Sequence, residues 1–414
     1  MENYSIILFL VAVMVGLSAL ADKIKLPYPI LMVIAGIAVG FLPYIPKIEL
    51  DPEVIFLLFL PPMLYDAAFN ISLQEFRKNF NTISGLAFAL VFITTGGIAI
   101  LARYLIPGMT WPLAFVLGSI LAATDAVAAT SITKGLGLSH KTRTILEGES
   151  LINDASGLIA YRLSVAAVGG TSFVFWKAGL QFLFLIAGGV FVGMCIGKCL
   201  GWIFERIPKK GLVSISFTLL MPFITYLAAE ELHVSGVIAV VTLGFMVSQF
   251  ARNLFPDSTK AQSKAIWDII IFMLNGLVFV LIGLEFPYVL ANLAGREIIP
   301  LIGYSFLICL TALAIRMGRV YLQKINLDRA FQKTKSARYE AAQLNWKDSL
   351  IISWSGMRGI VSLATALALP LSLSNGQAFP ERDPIIFMSV MTVLITLVGQ
   401  GLSLPILVKL LKNK

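Results

Sequence analysis

Six ionisable side chains fall inside stretches that are otherwise apolar: Asp66, Asp125, Glu149, Asp154, Arg316 and Arg358. A charge at the centre of a bilayer costs about 2.5 kcal/mol or more even on gentle insertion scales, so a chain that keeps several has a use for them. The densest group lies at 147–161, EGESLINDASGLIAY. Residues four apart share a helix face, which stacks Ser150 beneath Asp154 and Glu149 beneath Asn153. The first pair offers a hydroxyl and a carboxylate to one small cation. Asp125, Thr124 and the carbonyls of an unwound segment around them extend an all-oxygen set, which suits hard cations and not soft transition metals. A carboxylate in such a site holds a proton or a cation but not both, and that competition is enough to couple two fluxes. Because Asn153 and not a second acid precedes Asp154, one cation per proton is expected. Glu149 reads as the counter-charge of Arg316 or Arg358, since an unpaired buried charge is very costly.

The elements that must position these groups are membrane helices. Of 414 residues 58% are apolar and 13% charged, against about a quarter charged in soluble domains. Blocks such as Thr82–Ala102 and Ile298–Ile315 carry no charge and approach the roughly 20 residues a bilayer needs. Thirteen spans are expected, centred near residues 12, 36, 60, 92, 122, 156, 188, 220, 241, 274, 308, 360 and 396, with Tyr4–Ala21 retained as the first. Taking the N-terminus outside, twenty-two of the 32 Lys and Arg residues fall on the cytoplasmic side. Lys47, Arg103, Lys177, Arg296 and Arg382 fall on the other, and five more lie within or at the ends of spans. That bias supports thirteen spans with the N-terminus out and the C-terminus in. It also explains the net charge of +9 without nucleic acid. Cys195, Cys199 and Cys309 lie in apolar segments and read as packing residues. Arg162 and Lys198 snorkel at span ends; His140 is a loop residue and His233 sits at a span edge.

Two spans look interrupted. Span five reads LAATDAVAATSITKGLG (121–137), and span twelve, SWSGMRGIVSLATALALP (353–370), has Gly356 and Gly359 flanking Arg358. They are seven spans apart, as in two six-helix repeats joined by a linking helix, and an odd separation makes them run in opposite directions. Paired broken helices meeting at the midplane are a device of secondary transporters. No G-x-x-x-x-G-K-[ST] phosphate loop is present, so ATP-driven transport is not expected. The longest connection, about Gln323–Trp346, reads as a basic, helix-favouring cytoplasmic linker.

These motifs resemble those of sodium/proton antiporters of the monovalent cation:proton antiporter-1 family, the branch of NhaP-type antiporters and animal sodium/hydrogen exchangers. The resemblance rests on EGESLINDASG (147–157), with support from LPPMLYDAAFN (60–70), ATDAVAAT (123–130), AIRMGRVY (314–321) and WSGMRGIVSLA (354–364). It implies a homodimer in which a core bundle, about spans 4–6 and 11–13, moves against a dimerisation domain made of the remaining spans. Residues 1–414 then form one transporter unit with no soluble domain. It further implies Asp154 as the acid that binds ion and proton, with Thr124, Asp125 and Ser150 helping to coordinate Na⁺. Asn153 would support the crossed helices, Glu149 would pair with Arg316, Asp66 would approach the ion through water, and Arg358 would lie on the second crossed helix. One departure stands out: the family's Thr-Asp-Pro is Thr-Asp-Ala here, so span five must unwind at Ala126 without the proline that would remove a backbone donor.

The reading is an all-α membrane protein with thirteen transmembrane helices, exchanging Na⁺ (or Li⁺) for H⁺ by electroneutral alternating access. It is not expected to be an enzyme or to carry a cofactor; its partners are the monovalent cation, protons, membrane lipid and a second copy, with neither ATP nor nucleic acid. The absence of a long tail points to a prokaryotic inner membrane. A K⁺/H⁺ antiporter would use the same ligands in a wider site. A cation channel would lack the TVGYG-type filter, and an intramembrane hydrolase would use Asp125 and Asp154 without an H-E-x-x-H motif.

Overall fold

A computed structural model describes residues 11–19, 28–42, 52–133, 136–170, 175–206, 211–293, 298–336, 340, 342–373 and 376–412. Their regular structure is helical, apart from an isolated antiparallel bridge between Ser372 and Ala378. Helical segments lie at all thirteen expected centres. After residues 11–19 come α1 (Tyr28–Gly40), α2 (Pro52–Asn70) and the short, basic-ended α3 (Leu73–Lys78). Next in the chain are α4 (Phe80–Leu105), the broken pair α5 (Trp111–Ala122) and α6 (Ala126–Ile132), and α7 (His140–Val168). Four long helices come after them: α8 (Phe175–Arg206), α9 (Gly211–Glu231), α10 (Gly236–Leu254) and α11 (Asp257–Asn292). The chain closes with α12 (Ile298–Thr334), the broken pair α13 (Trp346–Trp354) and α14 (Ile360–Leu367), and α15 (Arg382–Lys412). The expected linker after Gln323 is in part helix, because α12 continues through to Thr334.

Seven of these helices are long and apolar enough to span a membrane by length and composition alone. Helix α7 is not among them, since its 29 residues carry Glu147, Glu149 and Asp154. An apolar helix needs no special reason to enter a bilayer, whereas the acids of one that carries them must either pair with neighbours or face the bundle interior or a water-filled cavity.

The helices sort into two compact units. One comprises residues 50–73 and 172–274, the other residues 1–49, 74–171 and 275–414. In the smaller unit α8 packs along α10 through a glycine stripe. A Cβ on Gly193 would lie 2.3 Å from the Ala239 carbonyl and one on Gly189 2.7 Å from that of Ser235. Such contacts replace side-chain interdigitation where lipid supplies no hydrophobic drive between helices. The outer side of α8 is left apolar and exposed at Leu183, Phe184 and Phe191.

The larger unit holds both broken helices. Helix α7 lies against α4 at Gly148, where a Cβ would meet Ile83 at 2.8 Å, and against the break of span five at Gly157, 3.4 Å from the Ala123 Cβ. Within α4, residues Gly85–Leu90 widen to a π-helical turn. The turn presents the Ala87 carbonyl to Ser156 of α7 at 2.8 Å. A π-turn loosens the i→i−4 ladder, and a neighbouring hydroxyl satisfies what it frees.

Candidate functional site

Span five unwinds over 123–125 and span twelve over 356–359, and the two breaks cross. The Asp125 amide donates to the Met357 carbonyl at 2.8 Å, so each interrupted backbone is satisfied by the other. Gly359 makes the crossing sterically possible, because a Cβ there would lie 1.8 Å from Asp125 Oδ2. Ala126 in place of proline has a direct consequence. Its amide, freed by the break, donates to Ser150 Oγ at 3.2 Å, and that hydroxyl donates to the Thr124 carbonyl at 2.9 Å. Ser150 thus satisfies one donor and one acceptor that two separate helical hydrogen bonds would otherwise have engaged.

The Asp125 side chain caps α6. Its Oδ1 accepts from the Ala128 amide in the first turn at 3.2 Å, while its other oxygen lies against Gly359 at the start of α14. One carboxylate therefore faces the positive ends of two half-helices. Arg358 does the converse. Its Nε donates to the Leu121 carbonyl at 2.9 Å, at the end of α5, and Nη1 donates to the Gly356 carbonyl just past α13. Its amide donates to Thr396 Oγ1 at 3.2 Å.

Glu149 and Arg316 form a fully buried fork of two hydrogen bonds, 2.5 Å from Nη1 to Oε1 and 2.9 Å from Nη2 to Oε2. Arg316 Nε also donates to the Ile352 carbonyl at 3.0 Å. Thr124 Oγ1 donates to Glu149 Oε1 at 3.3 Å and accepts from Asn153 Nδ2 at 2.8 Å. A continuous path of hydrogen bonds thus runs from α7 through the break of span five to α12 and the end of α13.

Burial divides these groups. Thr124, Glu149, Asn153, Arg316 and Arg358 are buried, while Asp125, Ser150 and Asp154 are half-buried. Among the described residues no hydrogen bond or ion pair meets the Asp154 carboxylate, and the nearby Asp125 repels it. A half-buried carboxylate without a protein counter-charge, beside a second carboxylate and several neutral oxygens, can take up a hard monovalent cation or a proton.

Asp66 belongs to the other unit. It accepts from Asn70 Nδ2 at 2.9 Å and lines a cavity of about 280 Å³ with Ser248, Arg252, Lys264 and Asp268, among others. Lys264 pairs with Asp268 at 3.1 Å across the exposed side. Outside the spans, Glu75 of α3 accepts from Lys78 at 2.8 Å, which holds its carboxyl below the usual range.

Sequence reasoning overlooked Thr396 and Ser156. Thr396 belongs to a stripe on α15, Ser389, Thr392, Thr396 and Gln400, whose three- and four-residue spacing marks one helix face. Ser156 carries no comparable pattern, because its partner is the carbonyl exposed by a π-turn that sequence does not announce.

A family model described as sodium/hydrogen exchanger, transmembrane, matches residues 9–410. An uncharacterised Na⁺/H⁺ exchanger of Mycobacterium tuberculosis is 31% identical over 412 residues, covering 98% of this chain and 74% of that protein. A sodium, potassium, lithium and rubidium/H⁺ antiporter of Bacillus subtilis is 33% identical over 420 residues, covering 98% of this chain and 62% of that one. The fold is similar to that of the sodium proton antiporter MjNhaP1 of Methanocaldococcus jannaschii, with a TM-score of 0.74 at 19% identity, covering 100% of both chains.

Proposed function

The chain belongs to the transmembrane sodium/hydrogen exchanger family, and from that premise we propose that it is a secondary antiporter that exchanges Na⁺, or Li⁺, for H⁺ at Asp154. The observation that carries this assignment is the charge accounting at the crossing. Glu149 is matched by Arg316, Asp125 faces two helix starts and Arg358 two helix ends. That leaves Asp154 as the carboxylate whose counter-charge must come from solution. Asp125, Ser150 and Thr124 supply further oxygens to the bound ion. Asn153, Glu149, Arg316 and Arg358 hold the crossed breaks that present them, and Asp66 acts on the cation through water.

Alternating access moves the bundle of spans 4–6 and 11–13 against the remaining spans. The protein works as a homodimer in the lipid of a prokaryotic inner membrane, with its N-terminus outside and its C-terminus in the cytoplasm. The basic bias of the connections supports that orientation, and the family resemblance supports the dimer. The Bacillus subtilis relative, named for four alkali cations, makes K⁺ the second ion to test.

The deciding measurement is dequenching of a pH-sensitive dye in inverted vesicles on adding Na⁺, Li⁺ or K⁺, comparing wild type with Asp154→Ala. Wild type should respond to Na⁺ and Li⁺ and the variant to neither. Equal responses from both would remove Asp154 from the mechanism, and a response to K⁺ alone would assign the rival ion.

A further inference from the structure

Helix α14 has only eight residues, Ile360–Leu367. A helix this short draws little stability from its own hydrogen bonds, so its place is set by what meets its two ends. At the start, Gly359 has no side chain to cap with, and the Asp125 carboxylate lies there instead: a Cβ on Gly359 would meet Asp125 Oδ2 at 1.8 Å. At the far end three successive carbonyls are met by side chains of two other helices. The Tyr161 hydroxyl of α7 donates to the Ala368 carbonyl at 2.9 Å. Arg382, which opens α15, donates from Nε to the Leu369 carbonyl at 3.0 Å and from Nη2 to that of Leu367 at 3.5 Å. Its Nη1 lies 3.7 Å from the neighbouring Asp383 carboxylate.

Each contact has a local cause. The last carbonyls of a helix have no partner within it, and Pro370 bars the chain from carrying the helix further. The chain turns back on itself instead: the Phe379 amide donates to the Leu371 carbonyl at 3.0 Å and Ser372 pairs with Ala378. That turn returns Arg382 to the carbonyls it covers, a cation at the negative end of a helix. Tyr161 is 5% exposed and lies seven residues after Asp154, two turns along the same face of α7. Helix α7 therefore presents the acid at one level and a post for α14 at another. The charge accounting at the crossing uses neither Tyr161 nor Arg382.

We propose that Tyr161 and Arg382 are positioning residues for the exchange: by fixing the far end of α14 they hold its start against Asp125. The short helix acts as a strut. One Asp125 oxygen is held by α6 and the other lies at Gly359, so the place where α14 begins sets how close that carboxylate stands to the cation bound by Asp154. Neither positioning residue touches the ion. Without them α14 shifts along its axis and Asp125 follows, which draws one ligand back from the site. A smaller ion loses more when its ligands stand apart, so discrimination between Na⁺ and Li⁺ reports the position of the strut.

This inference rests on the crossing being the exchange site, and the test separates the two. Apparent KM for Na⁺ and for Li⁺, and Vmax per reconstituted protein, are measured in proteoliposomes under an imposed pH gradient. The proteins compared are wild type, Tyr161→Phe, Arg382→Gln and Asp154→Ala. Losing one of the hydrogen bonds should raise KM about threefold for Na⁺ and about tenfold for Li⁺ in Tyr161→Phe and in Arg382→Gln, with Vmax little changed. Should Arg382→Gln fail to reconstitute, Tyr161→Phe decides alone, since it removes a single oxygen and keeps the ring in its packing. Wild-type KM values in either variant overturn the proposal. A lower Vmax at unchanged KM, the mark of lost folded protein, overturns it too, as does an equal rise in KM for both ions, the mark of a general loosening. An active wild type with an inactive Asp154→Ala and an unaffected Tyr161→Phe removes this inference alone. A wild type that moves no protons against Na⁺ or Li⁺, or an Asp154→Ala as active as wild type, removes the exchange reading and this one with it.

Discussion

Replacing Glu149 by glutamine removes one charge from the crossing while keeping its shape. Glu149 and Arg316 are each 1% exposed and meet through two hydrogen bonds of 2.5 and 2.9 Å. Breaking a buried ion pair from one side costs about 3–5 kcal/mol, because the remaining charge is stranded, whereas neutralising both partners is often close to neutral. In Glu149→Gln the guanidinium keeps its Nε bond to the Ile352 carbonyl, which puts the expected loss at the lower end, about 3 kcal/mol. Arg316→Met preserves the aliphatic packing against Gly356, where a Cβ would come within 2.4 Å of Arg316 Cδ. It strands Glu149 with only the Thr124 hydroxyl at 3.3 Å, so its loss should reach about 4–5 kcal/mol. The double variant Glu149→Gln/Arg316→Met should return to within about 1–2 kcal/mol of wild type, a large coupling energy in a double-mutant cycle. Reversible unfolding in mixed micelles, monitored by circular dichroism, gives the three differences. Two singles at wild-type stability, or a double whose loss is the sum of the singles, would refute the pairing as an energetic unit.

Three further expectations concern the crossing and its surroundings. Gly359→Ala should reduce Na⁺-driven proton movement at least tenfold, since its Cβ would stand 1.8 Å from Asp125 Oδ2 and the helices must part to admit it; vesicle dequenching at wild-type levels would contradict this. Ser150→Ala should destabilise by about 1–3 kcal/mol, because it leaves the Ala126 amide and the Thr124 carbonyl without the hydroxyl between them. In an Ala126→Pro background the same change should cost less, as the donor is already gone, and equal losses in the two backgrounds would show that Ser150 does not bridge the break. Glu75 has its carboxyl held below the ordinary glutamate range by Lys78. A depressed carboxyl contributes stability above the unfolded-state value and loses it as the pH falls through the folded one, so the contribution is constant at neutral and alkaline pH. Glu75→Gln should accordingly leave the pH–activity profile in that range unchanged, and a displaced profile would make this surface pair part of the response to pH.

The span pattern was legible because hydropathy and charge bias report a one-dimensional property, the fit of each segment to a slab of lipid. The breaks were legible for a related reason. Thr124 and Asp125, like Gly356 and Gly359, are residues that a continuous apolar helix has no use for. What sequence did not convey is which polar group satisfies which. The four-residue spacing puts Ser150 under Asp154, yet the Ser150 hydroxyl is engaged with the backbone of span five. Helical periodicity assigns a face and says nothing of what crosses it. Periodicity leaves the Glu149 partner open between two arginines on the same grounds; the family resemblance points to Arg316, and the packing of α12 beside α7 joins the two. The π-turn of α4 is fainter still, since GLAFAL at 85–90 has no feature that distinguishes it from ordinary helix.

The arrangement of compensated charges bears on stoichiometry more directly than the presence of Asn153 does. If Asp125 were a free ligand equal to Asp154, the loaded site could take two cations, or one cation and one proton, and carry net charge across the membrane. Here one Asp125 oxygen caps α6 and the other rests on Gly359, so its negative charge already balances two helix starts. Arg358 does the same for two helix ends. The crossing then has one open negative charge, at Asp154, and it carries the same net charge whether loaded with a cation or a proton. Equal charge in the two loaded states makes their transits equally insensitive to membrane potential. Exchange in proteoliposomes should therefore proceed at the same rate with the potential clamped at zero or set inside-negative by an inward gradient of a permeant anion such as thiocyanate. A rate that tracks the potential would mean that Asp125 gives up its helix contacts during the cycle and carries a second ion.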